Sequence, residues 1–158
     1  MFLIGEGVFY PLYGAGYVVN VEEKEIYSVS KKYYIINLII NNILVMIPVE
    51  SEDSKRLRRI MKNYEYDNIV NILKSNYNIL PYKWCDRFKI YNSSIREGNI
   101  YNLTELVRDI HNLPRRKEIS KSDFKVFNDI ICLISSEICI ATKVDYETVR
   151  LNILEILE

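Results

Sequence analysis

The side chains best suited to binding chemistry lie together in one short segment, residues 82–89, with the sequence YKWCDRFK. The segment holds the only tryptophan of the chain and opens a predicted helix directly after a proline. At helical spacing Trp84, Arg87 and Phe88 share one side, and two lysines flank that side. Because an apolar ring can unstack a base step while cations hold phosphates, the pattern predicts a wedge for minor-groove or junction DNA. The alternative is that both rings anchor a helical core, since large aromatic side chains dominate cores.

Side chains suited to catalysis are scarce by comparison. His111 is the only histidine, and its place beside apolar residues of a predicted helix favours a surface or boundary position. Cys132 and Cys139 lie on one apolar helix face, which favours packing over reactivity. The sequence GAG at residues 14–16 lacks the Lys-Ser/Thr of a phosphate loop. We therefore expect no catalytic site, no metal site and no cofactor; a small enzyme that uses a cysteine or His111 is the alternative.

Charge is balanced over the whole chain but not along it. The 158 residues are 49% hydrophobic, and 21 basic side chains match 21 acidic ones. A neutral total argues against a general nucleic-acid binder, whose surface is usually basic. By segment, however, the net charge is −4 over residues 1–54, +8 over residues 55–117 and −4 over residues 118–158. The basic middle predicts a local patch that attracts phosphates, and a set of solvated helix faces is the alternative.

Cysteine usage and the N-terminal sequence indicate the compartment. The three cysteines form no pair at metal-ligand spacing, and an odd count points to a reducing environment. The opening residues lack the basic region of a secretory signal, and no apolar stretch reaches the roughly 20 residues that span a bilayer. We expect a soluble, cytoplasmic protein with no membrane contact.

The elements that must position these side chains fall into two groups, which together predict an α+β fold. Residues 1–52 are rich in Val, Ile and Tyr, and four of the five glycines fall in the first sixteen residues, as in closely turned antiparallel strands. Strands are predicted over residues 16–27, 32–40 and 43–49. Asn41 and Asn42 are predicted as a two-residue hairpin turn, and Pro48 as an edge or terminal residue. A β module this small is expected to lean on the rest of the chain or on a partner.

Residues 53–158 have the hydrophobic period of helices, which predicts a compact helical domain. One helix is expected to start near Tyr82 and to end at Gly98, because glycine favours the left-handed conformation that closes a helix. Ser120 with Asp123 resembles the start of another helix, and Asp145 can cap the last one. The basic and aromatic segment therefore opens a helix of the second domain.

Several short motifs occur in a fixed order over residues 5–110. Residues 5–11 (GEGVFYP) and 14–16 (GAG) fit the pattern G-D-x-V-V-Y-P-x-H-G, with Tyr13 where histidine is usual, and residues 84–89 (WCDRFK) fit N-W-S-R-R-Y-K. Further matching segments are residues 21–22 (VE), 33–36 (YYII), 46–49 (MIPV), 57–60 (LRRI) and 106–110 (LVRDI). In these motifs the chain resembles the CarD/CdnL family of bacterial transcription regulators. Its first part is also similar to the polymerase-interacting module of transcription-repair coupling factors.

The resemblance implies a Tudor-like β module, residues 1–52, that docks on the β subunit of RNA polymerase, and a helical domain, residues 53–158, that touches promoter DNA. The implied DNA contacts are the wedge Trp84 and the cations Arg87, Lys89 and Lys83. The implied polymerase contacts are Lys24, Ile26 and Met46. Some members have arginine at two of these docking positions, so the loss of charge at Met46 implies a more apolar contact.

The implied function is that of a non-catalytic regulator, a monomer held at the nucleoid by the polymerase, which stabilises the open promoter complex at the upstream fork of the melted DNA. Asp86 stands where the family often has a second arginine, and it places like charge near the DNA. This departure keeps an alternative open: a divergent paralogue that docks on the polymerase but makes little contact with DNA.

Overall fold

The computed structural model describes residues 1–115 and 119–158 of the chain. Residues 116–118, which belong to the end of the basic segment and the start of the acidic one, lie outside the described residues. The strands are β1 (Gly7–Tyr10), β2 (Gly14–Ile26), β3 (Val29–Leu38), β4 (Leu44–Pro48) and β5 (Arg58–Arg59). The helices are α1 (Glu52–Arg56), α2 (Tyr66–Lys74), α3 (Trp84–Glu97), α4 (Ile100–His111), α5 (Lys121–Thr142) and α6 (Tyr146–Leu157). An antiparallel sheet followed by a helical region confirms the predicted α+β fold.

The sheet has the strand order β4-β3-β2-β1-β5, and its long β2–β3 hairpin turns at Tyr27 and Ser28, with φ angles of 51° and 61°. The predicted turn residues Asn41 and Asn42 also have positive φ, 59° and 51°. Their loop is longer than predicted, because the hydrogen bond that closes it joins residues 38 and 43. Pro48 ends the edge strand β4, as predicted, where no neighbouring strand needs a backbone donor.

The sheet takes one strand from beyond the predicted module. Helix α1 is a single short turn, and β5 then pairs with β1, with Arg58 opposite Phe9. This strand is not among those predicted, because two residues are too few to show the alternation of a strand. The division of the chain between residues 52 and 53 stays a prediction.

Strand β1 contributes to two cores, since successive residues of a strand point to opposite faces. Val8 belongs to the core of the sheet, whereas Phe9 joins the larger core of the helices. Ala15 of β2 also joins the helical core, and its N–H donates to Ser136 Oγ of α5 at 2.9 Å. The β module therefore packs against the helical region, as its small size predicts.

Helix ends follow the predicted signals. Gly98, in the left-handed conformation with φ of 66°, closes α3, and the Ser120 side chain accepts from the backbone N–H of Asp123 at the start of α5. Asp145 caps α6 by accepting from the N–H of Thr148. Among the described residues, no helix combines the length and the apolar character needed to cross a membrane.

Candidate functional site

The N-terminal end of α3 presents aromatic rings at the surface. Trp84 is half-buried, and its ring centroid lies 5.7 Å from that of Phe88 and 5.9 Å from that of Tyr91. Phe88 is 46% exposed, whereas Tyr91 is buried in the helical core. Trp84 thus packs against the helical core while part of its side chain remains at the surface.

Two lysines flank these rings. Lys83 occupies the N-cap position of α3 and is exposed, and its side chain makes no capping hydrogen bond. The Lys89 side chain is 79% exposed, with its Nζ 3.8 Å from an Asp86 carboxylate oxygen. Because such exposed pairs contribute little, Lys89 can exchange this carboxylate for a phosphate at small cost. Lys83 and Lys89 are therefore both available to an anionic partner.

Arg87 points away from this surface into the protein. Its side chain is 1% exposed, and its Nε and Nη2 each donate to the carboxylate of Asp123 at 2.9 Å. Its Nη1 donates to the backbone carbonyl oxygens of Pro81 and Tyr82. The Arg87 guanidinium is therefore buried with all three of its nitrogens bonded, and the structure does not place it at the surface where the predicted contact with DNA phosphate would form.

Asp123 is the centre of a buried polar network that joins α3 to the start of α5. Besides Arg87, it accepts from Tyr91 Oη at 2.7 Å and from Ser120 Oγ at 2.6 Å. Burial raises the pKa of Asp123, but the hydrogen bonds from Arg87, Ser120 and Tyr91 outweigh it and lower the pKa to about 2. The carboxylate is therefore ionised at neutral pH and neutralises the buried arginine.

The implied polymerase contacts lie on one face of the sheet. Lys24 and Ile26 are two residues apart on β2, and Met46 of β4 shares their face through its pairing with Ile35 of β3. The Lys24 Nζ lies 3.7 Å from the Met46 sulfur and 3.5 Å from a carboxylate oxygen of Glu22. Ile26 and Met46 are both exposed. The structure thus brings Lys24 and Met46 into contact, and it places Ile26 on the same face, nearer the tip of the β2–β3 hairpin.

The residues that were candidates for catalysis are packed against neighbouring side chains or buried. The ring of His111 lies 6.1 Å from that of Phe127, at a half-buried position of the kind predicted. Burial raises the pKa of the Cys139 thiol to about 11, which disfavours the reactive thiolate. No group of His, Cys, Asp or Glu within residues 1–115 and 119–158 could hold a metal ion.

Comparison with known proteins assigns both halves of the chain. Residues 2–61 match the model of the CarD-like/TRCF RID domain, and residues 68–154 match that of the CarD C-terminal domain. The chain belongs to the CarD family. A protein of Bacillus subtilis (strain 168) that carries the name "Putative transcription factor YdeB" is 30% identical to this CarD chain over 138 residues, which cover 87% of the chain and 90% of that protein. Membership implies transcription regulation through interaction with RNA polymerase.

The two candidate surfaces fall in different CarD domains. The sheet face with Lys24, Ile26 and Met46 lies in the N-terminal match, and the end of α3 with Trp84 lies in the C-terminal match. The two surfaces share no residues.

Proposed function

We propose that this CarD protein is a non-catalytic transcription regulator that binds the β subunit of RNA polymerase and stabilises the open promoter complex. In this proposal the β module docks through Lys24, Ile26 and Met46. The helical domain then holds Trp84, with Lys83 and Lys89, at the upstream edge of the melted DNA.

One observation carries the proposal: the only tryptophan lies partly exposed at the start of α3, beside the exposed ring of Phe88, in a segment that also carries the exposed Lys83 and Lys89. A tryptophan that only fills the core does not need an exposed ring and exposed lysines beside it. An aromatic ring that stacks on an unpaired base, with cations nearby for the phosphates, does need them.

The mechanism requires only differential binding. A regulator that binds the open promoter better than the closed one shifts that equilibrium by the difference in binding free energy. Stacking of one aromatic ring on an unpaired base supplies roughly 1–3 kcal/mol, which is about a 5- to 150-fold shift in population. Docking on the polymerase raises the effective concentration of the wedge at the fork, so a weak DNA contact is sufficient. The neutral total charge is then no obstacle, because the protein reaches DNA with its partner.

Trp84→Ala tests the wedge. We expect the lifetime of open promoter complexes with this protein to fall by about 5- to 150-fold, because the stacking energy is lost. Lifetimes are measured after a competitor challenge, with affinity for the β subunit measured in parallel. Tyr64→Ala, at an exposed aromatic residue shortly before α2, is the control and should leave the lifetime unchanged. An unchanged lifetime for Trp84→Ala with intact polymerase binding removes the wedge from the proposal.

Met46→Glu tests the docking face. A carboxylate pressed into an apolar contact loses its hydration, so affinity for the isolated polymerase β subunit should fall at least about tenfold. Val144→Glu, at an exposed apolar residue between α5 and α6, is the matched control. Equal affinities for the two variants would place the polymerase contact elsewhere on the chain.

The second candidate function is polymerase docking with little DNA contact. It is favoured by the burial of Arg87 and by the Asp86 carboxylate next to Lys89. Binding of polymerase complexes to forked promoter DNA separates the two functions. If Lys83→Ala and Lys89→Ala leave fork binding unchanged in the presence of this protein, the docking function is the better account.

A further inference from the structure

Arg58 of β5 connects the sheet with two helices. Its guanidinium donates to the Glu137 carboxylate of α5 through Nη1 at 2.6 Å and Nη2 at 2.7 Å. Its Nε and Nη2 also donate to the carbonyl oxygen of Gly98, at the end of α3, at 3.0 and 2.6 Å. The same guanidinium lies over the ring of Phe9, 4.3 Å from its centroid. One side chain thus connects strands β1 and β5 to the C-terminal end of α3 and to α5.

The end of α3 also touches the sheet directly. A Cβ atom at Gly98 would lie 2.9 Å from Pro11 Cγ and 3.0 Å from Phe9 Cε1, so only glycine allows this close approach. Glu137 is fully buried, and it accepts from the backbone N–H of Met61 at 2.8 Å as well as from Arg58. The charge of Glu137 is therefore neutralised only when sheet and helices have this relative orientation.

The opposite end of α3 carries Trp84. A helix of 14 residues is about 21 Å long, so the direction of α3 at Gly98 decides where the ring lies relative to the sheet. A change of about 15° at one end of such a rod displaces the other end by about 5 Å. That displacement exceeds the rise between stacked bases, about 3.4 Å.

We propose that Arg58 is a positioning residue that, together with Glu137, fixes the direction of α3 relative to the docking face of the sheet. The pair holds Trp84 at a set distance from the surface that contacts the polymerase. Other orientations of the two domains are disfavoured, because they leave the buried Glu137 without its cation. The inference rests on the proposed function, and its test has a structural measurement that does not depend on that function.

The structural measurement is the distance between two spin labels in the free protein. One label occupies the native, exposed Cys85 next to Trp84, and the other occupies Ser28→Cys at the tip of the β2–β3 hairpin. Cys132 and Cys139 are replaced by alanine in this background. We expect a narrow distance distribution with Arg58 and a broader or shifted one in Arg58→Lys and in Glu137→Gln. Arg58→Lys keeps the positive charge beside Glu137 but loses the paired hydrogen bonds.

Arg59→Lys is the matched control, because Arg59 is the neighbouring, more exposed arginine and pairs with Glu6 rather than with a helix. It should leave the distribution unchanged. Thermal unfolding of each variant shows that the label distances come from folded protein. Distributions that stay narrow and unshifted in both Arg58→Lys and Glu137→Gln would overturn the positioning role.

The functional measurement compares the effect of Trp84→Ala with and without Arg58. If Trp84→Ala shortens open-complex lifetime in the wild type, the same substitution should change it less than about twofold in Arg58→Lys, with unchanged affinity for the β subunit. An equal effect in both backgrounds shows that the orientation is not needed and overturns the proposal. No effect of Trp84→Ala in either background counts against the proposed function instead, and the label distances alone then decide whether Arg58 fixes the orientation.

Discussion

Two arginine–carboxylate pairs hold helix α3, one near each end, and they differ in what surrounds them. Arg87 and Asp123 lie inside the helical domain, with side-chain exposures of 1% and 0%. Arg58 and Glu137 join the sheet to that domain, and the Arg58 side chain is 30% exposed while Glu137 is at 0%. Both carboxylates belong to α5, so a single helix supplies the counter-charges at both places.

The two pairs are chemically similar, but their different surroundings give them different roles. A fully buried pair within one domain cannot separate without leaving a bare charge in the core, so it belongs to the folding of that domain. A pair at the junction of two domains depends instead on how the domains are oriented, because the buried Glu137 keeps its cation only while Arg58 of the sheet lies beside it. We infer that Arg87 sets the stability of the α3 end that carries Trp84, whereas Arg58 sets its direction.

Among the tests of this comparison, Arg87→Ala has the largest expected effect, a loss of stability. It leaves Asp123 buried without its cation, and loss of one partner of such a pair costs about 3–5 kcal/mol in free energy of unfolding. Urea denaturation at neutral pH measures the loss. Arg96→Ala, at an exposed arginine of the same helix, should stay within about 0.5 kcal/mol. A loss below about 1 kcal/mol for Arg87→Ala would contradict the folding role.

The pH dependence of stability gives the next largest effect. The pKa of Asp123 is lowered from 3.8 to about 2 in the folded protein, so its contribution is fully present above about pH 4 and is lost as the pH falls toward 2. The lost contribution amounts to about 2 kcal/mol. Wild type and Asp123→Asn should therefore differ most in free energy of unfolding near pH 6, and the difference should shrink as the pH falls below 4.

Asp129→Asn provides the control for this titration. Asp129 is an exposed carboxylate of the same helix, 3.9 Å from Lys125, and such pairs contribute about 0–1 kcal/mol. Its difference from the wild type in free energy of unfolding should stay below about 1 kcal/mol. If the Asp123→Asn difference does not shrink as the pH falls, the network around Asp123 does not contribute through its charge.

Much of the fold could be predicted because its signals are local. Gly98 closes α3, Ser120 and Asp145 begin helices, and Pro48 ends an edge strand, each for reasons contained in a few residues. The family motifs are local in the same sense. Strand β5 could not be predicted, since Arg58 and its neighbour become a strand only by pairing with β1.

The candidate site shows where local reasoning fails. Helical spacing correctly places Trp84 and Arg87 near each other, with the guanidinium 5.7 Å from the ring, but it does not say which side of the helix is buried. That is decided by Asp123, which lies 36 residues further along the chain. Glu137 did leave a signal, as the single charged residue in the apolar stretch of residues 130–141, but its partner Arg58 lies 79 residues away.

The smallest expected effects concern exposed charged residues that belong to neither of the two arginine–carboxylate pairs. Asp86→Asn removes the carboxylate beside Lys89 and one negative charge from the proposed DNA surface. We expect the affinity of the polymerase–CarD complex for forked promoter DNA to rise by about two- to fivefold, the range of one exposed charge pair. Lys89→Ala should lower the affinity by a similar factor.

Salt dependence distinguishes a phosphate contact from a change of fold. If Lys89 neutralises one phosphate, Lys89→Ala should make the slope of log affinity against log salt shallower by about 0.7–0.9. Lys143→Ala, at an exposed lysine at the far end of α5, should leave the slope unchanged. Because Asp86→Asn adds no cation, it should raise affinity at low salt and lose the gain as salt screens the surface. A gain in affinity that persists at high salt would mean that Asp86 acts through the packing of α3. It would contradict the view that buried pairs hold this helix while exposed charges contact DNA.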